Sequence, residues 1–308
     1  MPPLPDRVLA VCERIDREIR TRPDFAHTSH LRVDVGGEVV FDHHYRGPAV
    51  ADVFSVTKSV LAAVAGIAAR DGHLRDLDLP VGPVLDLPLP GQTVRHLLTM
   101  TRGCETGGPY DIDEVCALPS GWLERIAAAP ALEPPGTRFR YDNGAAHLLA
   151  AVLDRLLPGG LASFAERELF GPLGITGWRW HRDPDGVPTG HAHLELDAAG
   201  LAALGRLWLS GTLLDPGFAR DMLTAHTRGG PPEERPYGYL VWIDDAGPLA
   251  GGWAGQHVHA VPAADAVVVT TGDPEFSFGP PPRDRLQDGW RPAHDLVAEH
   301  LLPVLVGG

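Results

Sequence analysis

Phe54-Ser55-Val56-Thr57-Lys58-Ser59 carries the only lysine in a chain of 308 residues. Lysine and arginine together number 26, so every other basic residue is arginine. Positions that need only a positive charge are filled by arginine, and the exception points to a position that arginine cannot serve. A guanidinium keeps its proton in any protein setting, whereas a desolvated lysine amine can release one and act as a base. Serine with lysine one helical turn later is a way to activate a hydroxyl nucleophile without histidine. The same residues admit a plainer reading, with Ser55 as a helix N-cap and Lys58 as a leftover on a solvated helix face.

If a helix begins near Ser55, the spacing of three sets both side chains on one face. The helix N-terminus adds unpaired N–H groups and a positive dipole end, both favourable to negative charge developing at Ser55. Phe54 and the run 60–69 are apolar enough to desolvate the amine, and Asp71-Gly72 stops the helix.

Outward from this helix the two chain ends read alike. His30 to Asp42 alternates apolar and polar residues on both sides of Gly36-Gly37, a two-residue hairpin signal. Residues 237–243, 256–261 and 266–271 are short strand-like runs separated by Gly and Pro. A first helix spans the N-terminal 22 residues, with Val8, Val11, Cys12, Ile15 and Ile19 near helical spacing, and residues 293–305 form a closing helix. The middle predicts helices over 94–100, 121–129, 143–157, 161–169 and 197–209, punctuated by Pro and Gly clusters. Residues 231–236 and 279–283 read as exposed loops. The pattern predicts an α+β fold: an antiparallel sheet from both chain ends, flanked by helices, with a mostly helical lobe inserted. The lobes are drawn at 1–75 with 211–308, and at 76–210, with the site in the cleft between them.

Composition narrows the function. Hydrophobic content of 44% and charged content of 21% describe an ordinary globular chain. A net charge of −14 argues against nucleic acid or an anionic membrane as partner. Cys12, Cys104 and Cys116 form neither a disulfide framework nor a metal-ligand spacing. His43-His44, His191-x-His193 and His257-x-His259 lack an accompanying ligand set, so neither a metal nor a cofactor is expected. The N-terminus has no charged-then-apolar leader pattern and no apolar run approaches a membrane span, so a cytoplasmic location is expected.

Two further stretches carry chemistry. In Tyr141-Asp142-Asn143 a tyrosine precedes a helix. Its phenol, beside a cationic lysine, could shuttle a proton to a leaving group, and Asn143 could hydrogen-bond the Lys58 amine and a substrate carbonyl. A packed tyrosine with Asn as a cap is the plainer alternative. Gly251-Gly252-Trp253-Ala254-Gly255-Gln256 leads into the strand 257–261; such a Gly-rich stretch lets backbone approach a ligand, or simply makes a bulge or tight turn. His257 and His259 share one face of that strand, so one of them could look into the cleft.

Ser-x-x-Lys, then Tyr-x-Asn, then a Gly-rich strand approach, in that order, resemble the serine β-lactamase and penicillin-binding-protein superfamily. The branch is that of class C β-lactamases, esterases and 6-aminohexanoate-oligomer hydrolases. Asp71-Gly72-His73-Leu74, Val94-Arg95-His96-Leu97-Leu98-Thr99-Met100-Thr101, Pro135-Gly136-Thr137-Arg138-Phe139 and Leu169-Phe170-Gly171-Pro172-Leu173-Gly174-Ile175 read like phrases of that family, and the likeness runs from about residue 31 to 271. The resemblance implies a β-lactamase/transpeptidase-like fold. It implies Ser55 as the acylated nucleophile, Lys58 as its base or proton partner, Tyr141 as the second acid/base and Asn143 as a substrate contact.

One departure is informative. Relatives that hydrolyse β-lactams carry Lys-Thr-Gly on the strand beside the site, and here the matching triplet is Ala250-Gly251-Gly252. Trp253 then supplies, with Ser55, the oxyanion-hole N–H groups and presents an indole to the substrate. Without that lysine a substrate carboxylate loses its charge partner, although His257, His259 or an arginine could restore one. The reading is therefore a serine hydrolase for an uncharged or bulky small-molecule ester or amide rather than a true β-lactamase. An acyltransferase using the same site, and a binding protein that kept the fold, are the alternatives.

Overall fold

The computed structural model describes residues 2–273 and 289–307; the stretch 279–283, expected as a loop, lies outside the described residues. The main elements are α1 (Leu4–Thr21), β1 (Thr28–Val35), β2 (Glu38–His44), α2 (Val56–Arg70), α3 (Asn143–Leu156), α4 (Ala198–Ser210), β3 (Thr227–Gly230), β4 (Arg235–Tyr237), β5 (Gly247–Gly252), β6 (Gln256–Val261), β7 (Ala266–Gly272) and α5 (Leu302–Val306). The chain divides into two compact units, one of residues 1–56, 195–210 and 244–308, the other of 57–194 and 211–243.

The first unit is built on an antiparallel sheet in the order β2-β1-β7-β6-β5. Gly36 and Gly37 turn β1 into β2 with φ of 61° and 84°, the double positive φ that the hairpin signal requires. Val267, Val268 and Val269 of β7 are all buried, which demands cover on both faces. On one face α4 comes so close that a Cβ at Gly205 would sit 2.5 Å from Val267 and 3.1 Å from Val258. On the other, Leu31, Val33, Val261 and Val268 meet Val8, Cys12 and Ile15 of α1 and Leu296, Leu301 and Leu305 near the C-terminus. The expected alternation and terminal helices are thus present, and the large antiparallel sheet flanked by helices is the α+β architecture read from the sequence.

The second unit is organised around α2 and α3. Residues 56–68 are buried without a break, so α2 is apolar all round and enclosed, not amphipathic. It stops where expected: Gly72 takes φ 76°, and the N–H groups of His73 and Leu74 both donate to the Ala68 carbonyl. In α3, residues 144–153 are buried, and the Asp142 carboxylate caps the helix by accepting from Ala145 N at 2.9 Å.

Two divisions differ from those drawn on the sequence. Helix α2 and residues 211–243 belong with the helical unit, and α4, drawn in the helical lobe, belongs with the sheet because its small residues let it lie flat on β6 and β7. The run 237–243, read as one strand, is broken after Tyr237. A Cβ at Gly238 would meet the Met222 carbonyl oxygen at 2.2 Å, and Leu240 turns to φ 54° to donate its N–H to the Leu98 carbonyl. Among the described residues no single helix is long and apolar enough to cross a membrane.

His27 ties stability to pH. Its ring is 3% exposed and accepts from the Trp290 indole N–H. Burial, with the Arg46 charge adding, pushes its pKa down to about 3. The unfolded state then binds the proton more readily. Stability is therefore intact above about pH 6.5 and declines as pH falls, by at most about 1.4 kcal/mol per pH unit from this group, levelling off near the folded value. Urea titrations between pH 7 and 5 should show that decline, and His27→Gln should reduce its slope.

Candidate active site

The backbone delivering Ser55 is held in an unusual shape. The Asp52 carboxylate accepts from Phe54 N at 2.7 Å, Phe54 adopts φ 45°, and the Val53 carbonyl accepts from Val56 N at 3.1 Å. A non-glycine residue in the left-handed region costs on the order of 1 kcal/mol and persists only where its surroundings fix it. The result is a tight turn that leaves Ser55, half-buried, immediately before the first residue of α2.

The end of β5 runs beside this turn. A Cβ at Gly252 would lie 2.5 Å from the Val53 carbonyl oxygen and 3.3 Å from the Ser55 nitrogen, so only glycine lets the strand approach the serine so closely. Residues 251–256 lead into the strand 257–261 through a tight turn, one of the two readings their composition allowed. Gly251 and Gly252 end β5, Trp253–Gly255 make a turn with Ala254 at φ 61°, and Gln256 opens β6. Trp253 stands 42% exposed with its indole edge-on to Phe54, ring centroids 5.1 Å apart.

Lys58 is 1% exposed, and its Nζ donates to the His191 carbonyl oxygen at 2.7 Å. The same Nζ lies 5.0 Å from the centre of the Tyr141 ring. Neighbouring hydroxyls fasten the first turn of α2: Ser59 Oγ donates to the Leu240 carbonyl at 2.8 Å, and Thr57 Oγ1 accepts from Leu194 N at 3.4 Å. The solvated-face alternative for the lysine is therefore excluded. The His191 ring, also buried, is pushed well below its ordinary pKa, first by burial and then by the Lys58 charge. It stays neutral at physiological pH.

Tyr141 sits on an aromatic shelf. Trp242 stacks on it at 5.8 Å and 12° between planes, and Phe139 and Tyr237 pack on Trp242 at 5.7 and 4.5 Å. The Tyr237 phenol is fully enclosed, and burial raises its pKa well above the usual value, leaving it an uncharged wall. Asp142, next in sequence, forms a buried ion pair with Arg102 at 2.8 Å, and Arg102 also donates to the Ile126 carbonyl at 2.9 Å. Asn143, the first residue of α3, is half-buried.

His257 shares a face of β6 with His259, as its strand position predicts. Its ring, on the face of β6 turned toward the C-terminal helical segment, stacks on His294 at 4.6 Å and is 8% exposed. His259 follows it, with Nδ1 3.1 Å from His294 Nε2. Among the described residues no group of three or more His, Cys, Asp or Glu side chains is placed to hold a metal ion.

The profile of the beta-lactamase family matches residues 30–289. The chain belongs to the beta-lactamase family. This makes it an enzyme of the serine hydrolase type. Among solved structures it is similar to a candidate 6-aminohexanoate-dimer hydrolase from Bacillus anthracis, with 16% identity, TM-score 0.72, and 96% of this chain and 81% of that one covered. It is similar also to EstCE1, described as a hydrolase with promiscuous acyltransferase activity (18% identity, TM-score 0.70, 99% and 98% covered). A third is a penicillin-binding protein from Bacillus halodurans (19% identity, TM-score 0.72, 92% and 98% covered). These likenesses establish the fold. A comparison with curated protein sequences finds no match.

Within this beta-lactamase family member, three features escaped the sequence reading. The His191 carbonyl is the lysine's backbone acceptor. Its local signal was Gly190, where a Cβ would fall 2.1 Å from the Ala146 carbonyl oxygen, so glycine alone lets this segment press against α3. Trp242, under Tyr141, opens a short strand (Trp242–Asp244), but the sequence reading took it only as part of the run 237–243 and gave it no role at the site. The Arg102–Asp142 pair joins residues far apart in sequence and had no local signal. Both of its side chains are nearly fully buried, at 2% and 5% exposure. Arg102→Met should lower unfolding free energy by about 3–5 kcal/mol, because it strands a buried carboxylate beside Tyr141. Urea denaturation measures this, and Asp142→Asn in the same background should recover part of the loss.

Proposed function

We propose that this protein hydrolyses a small-molecule ester or amide through an acyl-enzyme on Ser55, with Lys58 as base and Tyr141 as second acid/base. The observation that carries the reading is the enclosure of the chain's sole lysine, hydrogen-bonded to the His191 carbonyl and close to the Tyr141 ring. A lysine amine surrounded by protein can act as a base where no guanidinium could. Lys58 lies in the first turn of the helix that Ser55 precedes, so local backbone sets their separation.

In the proposed cycle Ser55 Oγ attacks the carbonyl carbon while its proton passes to Lys58 Nζ. The N–H groups of Ser55 and Trp253 hold the developing oxyanion, and the close approach of Gly252 to the Ser55 nitrogen supports this pairing. As the carbon–oxygen or carbon–nitrogen bond breaks, Tyr141 donates a proton to the leaving group and is recharged from Lys58. Water then attacks the acyl-serine, giving up its proton to the Tyr141–Lys58 pair, and Ser55 regains its hydrogen as the acid departs. An alcohol in place of water gives acyl transfer.

β-Lactams are not the proposed substrates. The triplet Ala250-Gly251-Gly252 on β5 offers no side-chain charge for a substrate carboxylate. A panel of p-nitrophenyl esters should be turned over, with a chromogenic cephalosporin hydrolysed at least about 100-fold less efficiently in kcat/KM, a loss of about 2.7 kcal/mol. Cephalosporin turnover at a comparable rate would overturn the assignment.

The roles are tested separately. Ser55→Ala should abolish labelling by a fluorophosphonate probe, and persistent labelling would move the nucleophile elsewhere. Lys58→Arg keeps the charge and loses the base, so ester kcat should fall by about 10²-fold or more.

A further inference from the structure

His147 lies fully buried in the second turn of α3, the helix that follows Tyr141, and takes no part in the cycle described above. Its two ring nitrogens make bonds of opposite sense. Nδ1 accepts from the Gly190 N–H at 3.3 Å, so the proton of the ring sits on Nε2, which donates to the Asp183 carboxylate at 3.0 Å. Asp183 is fixed in turn, its other oxygen accepting from Asp185 N at 2.9 Å and from Val187 N at 2.8 Å. Burial acts to raise the Asp183 pKa, but the bonds from His147 and the Val187 N–H outweigh it and hold the carboxyl below its usual value. Trp122 packs on the His147 ring with centroids 5.5 Å apart.

Gly190 immediately precedes His191, whose carbonyl accepts from Lys58 Nζ. The His191 ring does little to place that carbonyl. Its Nδ1 has no hydrogen-bond partner among the described residues, and its Nε2 reaches only the Cys116 sulfur, 3.7 Å away. We propose that His147 is a positioning residue for the base: held by Asp183, it fixes the Gly190 peptide and through it the His191 carbonyl that orients the Lys58 amine. The inference deepens the serine hydrolase reading above and rests on it. The coupling is short. A Cβ at Gly190 would lie 2.1 Å from the Ala146 carbonyl oxygen and 2.8 Å from the His147 Cα, so this peptide rests directly on α3. One helix then serves both proton-handling groups, its N-terminus following the turn that bears Tyr141 and its second turn pinning the acceptor of Lys58.

A purely structural His147 and a positioning one differ in which bond matters to catalysis. The structural role needs both bonds alike, whereas the positioning role needs the acceptor at Nδ1. His147→Asn sets an amide oxygen near the Nδ1 position and drops the donor to Asp183. His147→Gln sets an amide N–H near the Nε2 position and drops the acceptor for the Gly190 N–H.

The test compares the two variants with the intact protein by ester kcat and KM, by urea denaturation, and by the NMR signal of lysine isotope-labelled at Cε, a single signal because the chain has one lysine. Both substitutions should lower stability, since each leaves a buried polar group unpaired. Only His147→Gln should lower kcat, by about tenfold or more with KM within about twofold, and displace the lysine signal, because misplaced reacting groups cost rate more than binding. His147→Asn restores the acceptor and should recover kcat to within about threefold of the intact protein, with the lysine signal in place. Equal kcat losses in the two variants, a loss confined to His147→Asn, or an unmoved kcat and lysine signal in His147→Gln overturns the positioning role and leaves the hydrolase reading standing. If the intact protein turns over no ester, that reading fails and the lysine signal decides the positioning role by itself: displaced in His147→Gln and in place in His147→Asn supports it, and any other pattern overturns it. If either variant does not fold, Asp183→Asn takes its place. Its amide, donating to His147 Nε2, drives the ring proton onto Nδ1 against the Gly190 N–H, so kcat should fall and the lysine signal move together, and unless both do the proposal is overturned.

Discussion

A buried amine must give each of its protons an acceptor or lose charge, and this requirement organises the second unit. Lys58 gives one of its protons to a backbone carbonyl, that of His191. A neutral carbonyl serves the amine in either protonation state. To bring that carbonyl to the lysine, the segment around Gly190 must lie against the backbone of α3, which glycine alone permits. The helix bearing the lysine must in turn be enclosed on every side, which explains its run of Val, Ala and Leu and the absence of an amphipathic stripe.

Tyr141 depends on a second set of constraints that reaches it from both flanks. On one side the stacked Trp242 and the enclosed Tyr237 fix the plane of its ring. On the other, Asp142 both caps α3 and pairs with Arg102, which pins the backbone one residue away. The carboxylate does two jobs from one position, so the turn containing the phenol and the start of the helix cannot move independently. Strain at Phe54 on the serine side is the counterpart of this rigidity: an unfavourable φ held in place by an Asx turn and by the aromatic contact with Trp253.

How much of this was legible in the sequence depends on the range of each interaction. Local features were readable: the Gly36-Gly37 hairpin, the stop at Asp71-Gly72, the terminal helices, and the Ser-x-x-Lys spacing. Each is decided by residues within a few positions of one another. Features set by distant partners were not. The break after Tyr237 is imposed by Met222 and Leu98, the placement of α4 by valines some 50 to 60 positions later, and the His191 acceptor by a contact spanning 133 positions. His257 shows the same limit. Strand alternation correctly paired it with His259, but only the closing helical segment with His294 determines what that face meets.

The distribution of charge follows from the same economy. A chain that uses arginine for all but one of its basic residues separates two tasks that lysine can combine. Guanidiniums, permanently protonated and forked, serve where a carboxylate is to be held, as at Asp142 inside the protein. In the proposed mechanism the single lysine is reserved for the position where a proton must be able to leave. Had Lys58 been one basic residue among many lysines, its identity would carry little weight. Its solitude, together with its burial, makes proton release the property that distinguishes the position, since charge alone is supplied everywhere else by arginine.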